Sequence, residues 1–322
     1  MVLPDFIIIG APKAGSTALH AALAAHPDLW LSQVKEPKFF MCDGSPPRRA
    51  LQRGPGDAHS AQEWVWRRSD YEALFDAAPP GTLRGESTPL YLGDPAALAR
   101  MAKLVPDVKM IAIVRDPVDR AYSNWTHLWC DGLEPIGDFL AACDAEEGRV
   151  AAGWAPFWRY LGLGRYGEQL QTLLGLYPRQ QLHLLRYREL VDDPVGTLDR
   201  ICAFLGVRTG MVGAAPAENL STWVSDSPLN RALQLTIRAG AAAGSYVPPN
   251  IWRQASRPLL AALHRRHAVR PKLAVEVRAQ LLPRVAPDVA LLESVTGESF
   301  QDWLSEQGRG AYALRKSPPR PA

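Results

Sequence analysis

The sequence contains few cysteines and no cysteine pair with the spacing of a metal or redox motif. Its four cysteines, Cys42, Cys130, Cys143 and Cys202, are scattered along 322 residues without any C-x-x-C pair. Neither a disulfide framework nor a zinc site built on paired cysteines is therefore indicated. We expect four reduced thiols, mostly packed, in a protein of a reducing compartment.

Long apolar runs and a strong net charge are also missing. No stretch approaches the ~20 consecutive apolar residues that a membrane-spanning helix needs. The first apolar run, Phe6–Ile9, is too short for a secretory leader. The net charge of +3 is weak for a nucleic-acid-binding protein, which concentrates Lys and Arg on one face. We therefore expect a cytoplasmic protein with no transmembrane segment and no nucleic-acid partner.

The composition is that of a globular protein. Hydrophobic residues make up 47% of the chain and charged residues 21%, so intrinsic disorder is not expected for most of its length. The chain is long enough for one large domain or two small ones. No internal repeat at a fixed period is present, and the sequence does not indicate an oligomeric state.

A strand, a glycine-containing loop and a helix are predicted at the start of the chain. The apolar run Asp5–Ile9 ends at Gly10 and predicts a buried parallel strand. Residues 10–15 form the predicted loop, and Ser16–Ala25 has the spacing and composition of a helix. This order is typical of the first unit of an α/β nucleotide-binding fold.

The same alternation continues to about residue 206. Short runs predict further strands at 82–86, 108–114 and 181–185. Asp-Pro pairs supply the N-cap and the first-turn proline of three predicted helices, at 94–95, 116–117 and 193–194. The pattern predicts the α/β class: a single P-loop-like domain with a central parallel sheet flanked by helices and a helical C-terminal extension.

We divide the chain by its changes in composition. Residues 1–212 form the predicted core, residues 213–313 a helical C-terminal part of the same domain, and residues 314–322 a basic, proline-rich and flexible tail. Within the core, residues 42–62 are rich in Gly, Pro, Arg and Ser and predict an excursion on the surface.

The first loop has the glycine spacing of a Walker A loop but a different lysine position. In Walker A the lysine follows the second glycine, whereas here Ser16 follows Gly15 and the lysine is Lys13. A loop at a helix N-terminus offers backbone N–H groups and a positive dipole end to an anion. The hydroxyls of Ser16 and Thr17 and the cation of Lys13 suit a single phosphate with a good leaving bond. A tight glycine turn without a ligand is the alternative.

The strand predicted at 108–114 ends in a second candidate anion site. A P-loop NTPase places an Asp for its metal at this point, but here the strand runs into Arg115. An arginine at the carboxyl end of a strand of an open α/β sheet is positioned to bind an anion directly, although a surface ion pair would explain it equally well. Two anion sites without a metal site describe a nucleotide phosphorylated at two separate positions.

At these residues the chain resembles the sulfotransferases that use 3′-phosphoadenosine-5′-phosphosulfate (PAPS), in particular the branch of the bacterial and heparan sulfate enzymes. The resemblance covers roughly residues 4 to 206. It rests on motifs in the family's order: Pro12–Thr17, Lys35–Phe40, Gly85–Tyr91, Ile113–Ser123, Gly164–Tyr166, Tyr187–Leu190 and Asp193–Gly206. It implies PAPS as the sulfuryl donor, PAP as the product and no metal.

The resemblance also implies roles for individual residues. Lys13 would contact the phosphosulfate and stabilise the leaving 5′-phosphate, while Ser16, Thr17 and the amides from Ala14 through Gly15 to Ala18 hold it. Arg115 and Ser123 would bind the 3′-phosphate, and Tyr187 would lie near the adenine. Glu36 is similar to the general base of the heparan sulfate branch, which removes the proton of the acceptor hydroxyl or amine.

The acceptor is not identified by the sequence. Heparan sulfate enzymes often have His where this chain has Lys38, and some have Lys where it has Ser87. Both departures weaken the expectation of a glycosaminoglycan, and a small molecule, a glycolipid or another carbohydrate remain open. Tryptophans offer an apolar or sugar-stacking pocket but are more often core: Trp64, Trp66, Trp125, Trp129, Trp154 and Trp158.

Other interpretations stay open at this point. His127 is the main rival of Glu36 as the base, and His20 and His26 are weaker candidates. Arg231 and Arg253 are the candidates for a residue that covers the nucleotide from the C-terminal part. A nucleoside or small-molecule kinase is the alternative enzyme, favoured by the glycine spacing. A nucleotide-binding regulatory module without turnover is the third possibility.

Overall fold

The computed structural model describes residues 2–47, 54–58, 60, 64–213, 223–224, 227–244, 249–264 and 270–306. Its centre is a parallel sheet of five strands in the order β2-β3-β1-β4-β5. The strands are β1 Phe6–Gly10, β2 Leu29–Leu31, β3 Leu83–Ser87, β4 Lys109–Val114 and β5 Leu182–Arg186. The predicted parallel sheet is confirmed, with the short edge strand β2 as an addition.

The middle of the sheet is fully buried because helices cover both of its faces. Residues 6–9 of β1 and 110–114 of β4 have no exposed surface, as expected for parallel strands with apolar side chains on both faces. Strands β1 and β4 are neighbours in the sheet. The chain continues from β1 to β2 on one side of this pair and from β4 to β5 on the other side, so the strand order reverses between β1 and β4. Open α/β sheets bind ligands at the carboxyl ends of the strands beside such a reversal.

The longer helices follow the strands as predicted. They are α1 Ser16–Ala24, α3 Pro95–Leu104, α4 Pro117–Cys130, α7 Tyr166–Leu174 and α9 Pro194–Leu205. All three predicted Asp-Pro caps are present, since the carboxylates of Asp94, Asp116 and Asp193 accept hydrogen bonds of 2.9–3.1 Å from first-turn amides. A cap of this kind fixes the residue at which each helix begins.

Short helices complete the first two hundred residues. They are α2 Arg68–Ala73, α5 Phe139–Asp144, α6 Glu146–Ala151 and α8 Tyr187–Asp192. The sequence analysis missed α8, which begins directly after β5 and holds Tyr187 at its first position. This helix places the Tyr187 ring at the same edge of the sheet as Arg115, at the end of β4.

The chain after residue 212 is helical in its described parts. It forms α10 Pro228–Gly244, α11 Pro249–Leu263 and α12 Val275–Thr296. Helix α12 packs against α7, where Asp288 accepts a hydrogen bond of 2.9 Å from the Gly167 amide. It also reaches α4, since the buried guanidinium of Arg278 pairs with Asp116 and Asp119. The predicted tail at 314–322 lies outside the described residues.

The predicted surface excursion at 42–62 is at the surface only in part: residues 43–46 are exposed, but the prediction was wrong for Asp57 and Ser60. Asp57 is 8% exposed and Ser60 is 6% exposed, and both contact the buried ammonium of Lys38. The Nε1 group of Trp64 donates a hydrogen bond of 2.6 Å to Asp57. Composition alone could not indicate this because the partner, Lys38, belongs to an earlier segment.

None of the helices in the described ranges is long and apolar enough to span a bilayer.

Candidate functional site

The loop between β1 and α1 lies at the carboxyl edge of the sheet and presents backbone N–H groups. Lys13 and Gly15 have left-handed backbone angles, with φ of 63° and 96°. The first hydrogen bond of α1 runs from the Leu19 amide to the Gly15 carbonyl at 3.0 Å. The amides of residues 16–18 come before it and therefore have no partner within the helix. The loop thus offers a group of donors at the positive end of a helix dipole.

Ala14, Ser16 and Thr17, three of the residues predicted to hold the phosphosulfate, differ in how far they are open to a ligand. The Ala14 amide donates a hydrogen bond of 3.3 Å to the Ala11 carbonyl, so it is partly engaged within the loop. The side chain of Ser16 is buried, and that of Thr17 is exposed. The backbone donors that the loop offers are therefore the first-turn amides of α1, at residues 16–18.

Tyr187 packs directly on this loop. A side chain at Gly15 would place its Cβ 2.8 Å from the Tyr187 ring, closer than any ordinary contact. Glycine is required here twice, by its positive φ and by the closeness of the ring. The guanidinium of Arg115 also contacts Tyr187, at 4.7 Å from the centre of the ring.

Arg115 joins the two predicted anion sites. Its Nη1 group donates a hydrogen bond of 3.2 Å to the carbonyl oxygen of Lys13. It makes no ion pair within the described part of the chain, so the surface ion pair considered from the sequence is not what holds it. Ser123, two turns into α4, is half-buried. Lys13, Gly15, Arg115 and Tyr187 therefore form one contiguous cluster.

Arg270 is a second guanidinium near this cluster and was missed by the sequence analysis. It lies 4.6 Å from the centre of the Tyr122 ring, one residue before Ser123. Burial lowers the pKa of Arg270, and the charge of Arg115 lowers it further. The basic residues on either side of Pro271 were the available signal. Of the residues predicted instead, Arg231 lies in α10, and the side chain of Arg253 lies outside the described residues.

The carboxylates nearest to this edge do not neutralise the cluster. Asp116 and Asp119 both pair with Arg278, which is 3% exposed. Burial raises the pKa of Asp119, and the neighbouring charge of Asp116 raises it further. The charges of Arg115 and Arg270 also act on Asp119 and lower its pKa. Three guanidiniums therefore face two carboxylates here, and the group keeps a net positive charge for an anion. In the described ranges no group of three His, Cys, Asp or Glu side chains could hold a metal ion.

Glu36 lies beside the carboxyl end of β3. This strand flanks β1 on the side opposite to β4 and Arg115. The Glu36 amide donates a hydrogen bond of 2.9 Å to the Ser87 carbonyl, and its carboxylate pairs with Lys35 at 2.6 Å. The side chain is 33% exposed, so it is partly buried and reachable. Glu36 and Lys38 both have left-handed backbones, with φ of 61° and 56°, which costs about 1–3 kcal/mol each for residues other than glycine.

A buried glutamate, Glu86, supports this strained turn and was not predicted. Its carboxylate accepts hydrogen bonds from the Tyr71 hydroxyl at 3.1 Å and the Thr88 hydroxyl at 2.8 Å. The Thr88 oxygen in turn accepts one from the Lys38 amide at 3.4 Å. Burial raises the pKa of Glu86 to about 7, and the charge of Glu36 contributes to the increase. The network therefore links Glu86 to the segment that holds Glu36.

Lys38 is not available to a ligand. It is 2% exposed, and its ammonium contacts Asp57 at 3.3 Å and the Ser60 hydroxyl. It also lies 5.1 Å from the centre of the Trp64 ring. The lysine that replaces the histidine of heparan sulfate enzymes is thus a structural cation. Ser87 is completely buried as well.

The three candidate histidines have different environments. Both ring nitrogens of His26 are used, by the Arg208 carbonyl at 2.8 Å and the Asp28 amide at 3.0 Å, which excludes a role as a base in this state. Burial lowers the pKa of His20 to about 4, with smaller effects of Lys35 and Glu36, so His20 lies near the Glu36 carboxylate. His127 lies 3.7 Å from Asp131, with its ring edge-on to Phe157.

The candidate tryptophans divide between core and surface. Trp125, Trp129 and Trp158 are buried, as expected for core residues. Trp64, Trp66 and Trp154 are half-buried. The buried three stabilise the helical half of the protein and are not exposed to a ligand.

Comparison with known proteins adds an independent observation. The model of the sulfotransferase family matches residues 4–210. Among solved structures, a sulfotransferase from Alicyclobacillus acidocaldarius is 28% identical and superimposes with a TM-score of 0.71 over 95% of this chain and 100% of that one. Residues 4–210 include both predicted anion-binding motifs and the segment of Glu36.

Curated relatives cover the same part of the chain. Heparan sulfate glucosamine 3-O-sulfotransferase 3B1 of Mus musculus is 31% identical over 207 residues, which are 64% of this chain and 47% of that protein. The bifunctional heparan sulfate N-deacetylase/N-sulfotransferase 2 of Homo sapiens is 29% identical over 213 residues, 22% of its length. This chain thus spans about half, or less, of the length of the curated relatives that it matches.

Proposed function

This chain belongs to the sulfotransferase family, and we propose that it transfers a sulfuryl group from PAPS to a hydroxyl or amine of an acceptor. The observation that carries the proposal is the bridge between the two anion sites. Arg115 bonds the carbonyl of Lys13 and covers the ring of Tyr187, which itself packs on Gly15. One nucleotide with a 5′-phosphosulfate and a 3′-phosphate matches this pair of sites.

In this proposal each end of the donor has its own set of residues. The first-turn amides of α1, the Ser16 and Thr17 hydroxyls and Lys13 hold the phosphosulfate. Arg115 and Ser123 hold the 3′-phosphate, and Tyr187 contacts the nucleoside. The structure adds Arg270, which lies near Arg115 and increases the positive potential at that end. PAPS supplies a sulfuryl group attached to a good leaving phosphate.

The proposed reaction is an in-line displacement. The acceptor oxygen or nitrogen forms a bond to sulfur while the bond from sulfur to the bridging oxygen of the 5′-phosphate breaks. Glu36 accepts the acceptor proton, and PAP leaves with the electron pair. Lys13 and the loop amides stabilise the charge that grows on the bridging oxygen, and each such donor is worth ~3 kcal/mol at the transition state.

The partial burial of Glu36 supports its role as the base. The buried network of Glu86 and Thr88 holds its segment in place, and its carboxylate is reachable. His127 remains the second candidate base because it is half-buried at a helix face. His26 is no longer a candidate, since its ring nitrogens are engaged.

We propose a carbohydrate, a glycolipid or a small molecule as the acceptor. The names of the curated relatives describe enzymes of heparan sulfate, which supports a carbohydrate. Burial of Lys38 and Ser87 leaves these positions without cationic contacts for a sulfated polymer. The kinase-like alternative is not favoured, because the matching family consists of sulfotransferases.

A transfer screen tests this function. The protein is incubated with PAPS labelled on the sulfate and with lipid, phenol and carbohydrate extracts, and labelled products are identified. We expect a sulfated product whose formation falls roughly 10²–10⁴-fold in Glu36→Gln, the usual effect of removing a positioned base. PAP binding should survive this change. PAP binding without transfer to any extract would favour the regulatory module instead.

A further inference from the structure

Arg120 is completely buried beneath the loop between β1 and α1. It lies one turn into α4 and is 0% exposed. Its Nη1 group donates to the Pro12 carbonyl at 3.3 Å and to Asn124 Oδ1 at 3.0 Å, and its Nη2 group to the Tyr160 carbonyl at 2.5 Å. Its Nε group has no partner among the described residues.

No carboxylate of the described chain forms an ion pair with Arg120. Glu146 lies near enough to influence its charge, but that carboxylate accepts hydrogen bonds from the Leu161 and Gly162 amides at 2.7 and 2.8 Å. Burial, as the main cause, lowers the pKa of Arg120. A buried charge without a counter-ion is costly for the folded state, so this arginine reduces stability in the free protein.

Arg149 shows how the same protein stabilises an ordinary buried arginine. Its guanidinium is 6% exposed and binds both carboxylate oxygens of Glu134, at 2.9 and 2.6 Å. Buried arginines in proteins usually have such partners. The contrast indicates that the missing counter-ion of Arg120 has a reason in function.

Pro12, the contact of Arg120, immediately precedes Lys13. A donor that binds the Pro12 carbonyl turns this oxygen toward the interior, so the opposite side of the loop is left to N–H groups. A cation below the loop also raises the potential at those N–H groups, because a charge in a protein interior is screened much less than one in water.

We propose that Arg120 is a positioning residue of the nucleotide site, and that the negative charge of the bound nucleotide is the counter-ion that its guanidinium lacks. The inference rests on the proposed function, since it requires an anion at the loop. Arg120 does not touch the nucleotide. It acts through the backbone of Pro12 and through its charge.

The test compares Arg120→Met with Arg149→Met as the matched buried control. Calorimetry measures the affinity for PAP, and thermal unfolding measures Tm with and without PAP. Because a buried cation is lost from beside a doubly charged phosphate, we expect Arg120→Met to bind PAP roughly 10- to 100-fold more weakly. Its Tm without PAP should fall less than that of Arg149→Met, because three neutral acceptors lose a donor but no buried carboxylate is left unpaired. Arg149→Met should lower Tm and leave the affinity for PAP unchanged.

A second variant decides the question if Arg120→Met does not fold. Arg120→Lys keeps the charge but loses the paired carbonyl contacts. The ratio of its affinities for PAP and for adenosine 3′-monophosphate, which has no phosphate at the loop, should fall below that of the wild type. An unchanged ratio would overturn the inference.

Two failures are distinguishable in this experiment. If the wild type binds no PAP, the proposed function fails and the inference fails with it. If the wild type binds PAP and Arg120→Met binds it within about threefold, a difference under 1 kcal/mol, the inference fails and the proposed function remains.

Discussion

The Nη1 group of Arg115 donates a hydrogen bond of 3.2 Å to the carbonyl oxygen of Lys13. The end of β4 is thus attached to the loop that follows β1, the neighbouring strand of the sheet. The contact fixes the distance between the two proposed anion sites, because Arg115 directly follows buried β4 and the loop of Lys13 directly follows buried β1. A ligand that fills both sites must have two anionic groups at that separation.

Replacement of Arg115 should weaken the binding of a nucleotide that has a 3′-phosphate more than that of a nucleotide without one. We expect Arg115→Ala to bind PAP ~10- to 100-fold more weakly, the usual value of a lost hydrogen bond to a charged group. The affinity for adenosine 5′-monophosphate, which has no 3′-phosphate, should fall much less. Calorimetry with both nucleotides measures the difference. Arg179→Ala is the control, since Arg179 lies just before β5, at the opposite edge of the sheet, and pairs with Glu298 on the surface.

Equal losses for the two nucleotides in Arg115→Ala would contradict the assignment of the 3′-phosphate. They would indicate that Arg115 supports only the loop.

Lys13 should act mainly at the transition state. Its contact strengthens as charge develops on the leaving oxygen, so Lys13→Ala should lower kcat by ~10²–10³-fold. The affinity for PAP should fall far less. Steady-state kinetics with the acceptor from the screen, together with calorimetry, separates the two effects. Lys103→Ala, an exposed lysine of α3, is the control, and a fall in affinity as large as that in kcat would refute the role.

Gly15 should not tolerate a side chain. An alanine at position 15 would be strained for two reasons. Its backbone would have a left-handed φ of 96°, and its Cβ would lie 2.8 Å from the Tyr187 ring. Gly81→Ala is a matched control, because Gly81 has a φ of 83° but no atom within 4 Å of an added Cβ. We expect Gly81→Ala to lose ~1–2 kcal/mol of unfolding free energy and Gly15→Ala to lose more. Only Gly15→Ala should also weaken PAP binding, and equal losses in both variants would contradict the packing of Tyr187 on the loop.

Glu86 should make stability depend on pH. Its pKa is raised from 4.5 to about 7 by burial, so the folded state binds more protons than the unfolded state between these values. The free energy of unfolding that Glu86 contributes is therefore present below about pH 4.5 and is lost as the pH rises through 7. His20 acts in the opposite direction, since its pKa is lowered from 6.5 to about 4.

Comparison of the wild type with Glu86→Gln isolates this contribution, because His20 is common to both proteins. Denaturant unfolding at several pH values should show the wild type losing stability relative to Glu86→Gln as the pH rises from 5 to 8. A difference that stays constant, or that grows in favour of the wild type, would contradict the buried state of the carboxyl group.

The central elements were predictable from the sequence because their signals are local. The apolar runs of β1 and β4, the glycine loop and the Asp-Pro caps each lie within a few adjacent residues. The proposal of two anion sites rests on them, since parallel strands end at the same edge of a sheet. The family resemblance, confirmed by the match over residues 4–210, added the segment of Glu36.

Other features depend on contacts between distant segments and left no local signal. Strand β2 has three residues, too few for a periodic pattern. Glu86 is a charged residue in a short strand, and its burial depends on Tyr71 and Thr88. Arg270 reaches Tyr122 across 148 positions of the chain. Lys38 was assigned no partner because Asp57 and Ser60 lie in a segment that resembles an exposed loop.

Nucleotide affinity in the presence of EDTA tests the central claim most directly. Calorimetry should show PAP binding about tenfold or more tightly than either adenosine 5′-monophosphate or adenosine 3′-monophosphate, because each phosphate has its own charged contacts. In a separate titration without EDTA, ATP with magnesium should bind more weakly than PAP. Equal affinities for PAP and one monophosphate, or tighter binding of ATP with magnesium, would contradict a site built for one nucleotide with two separate phosphates.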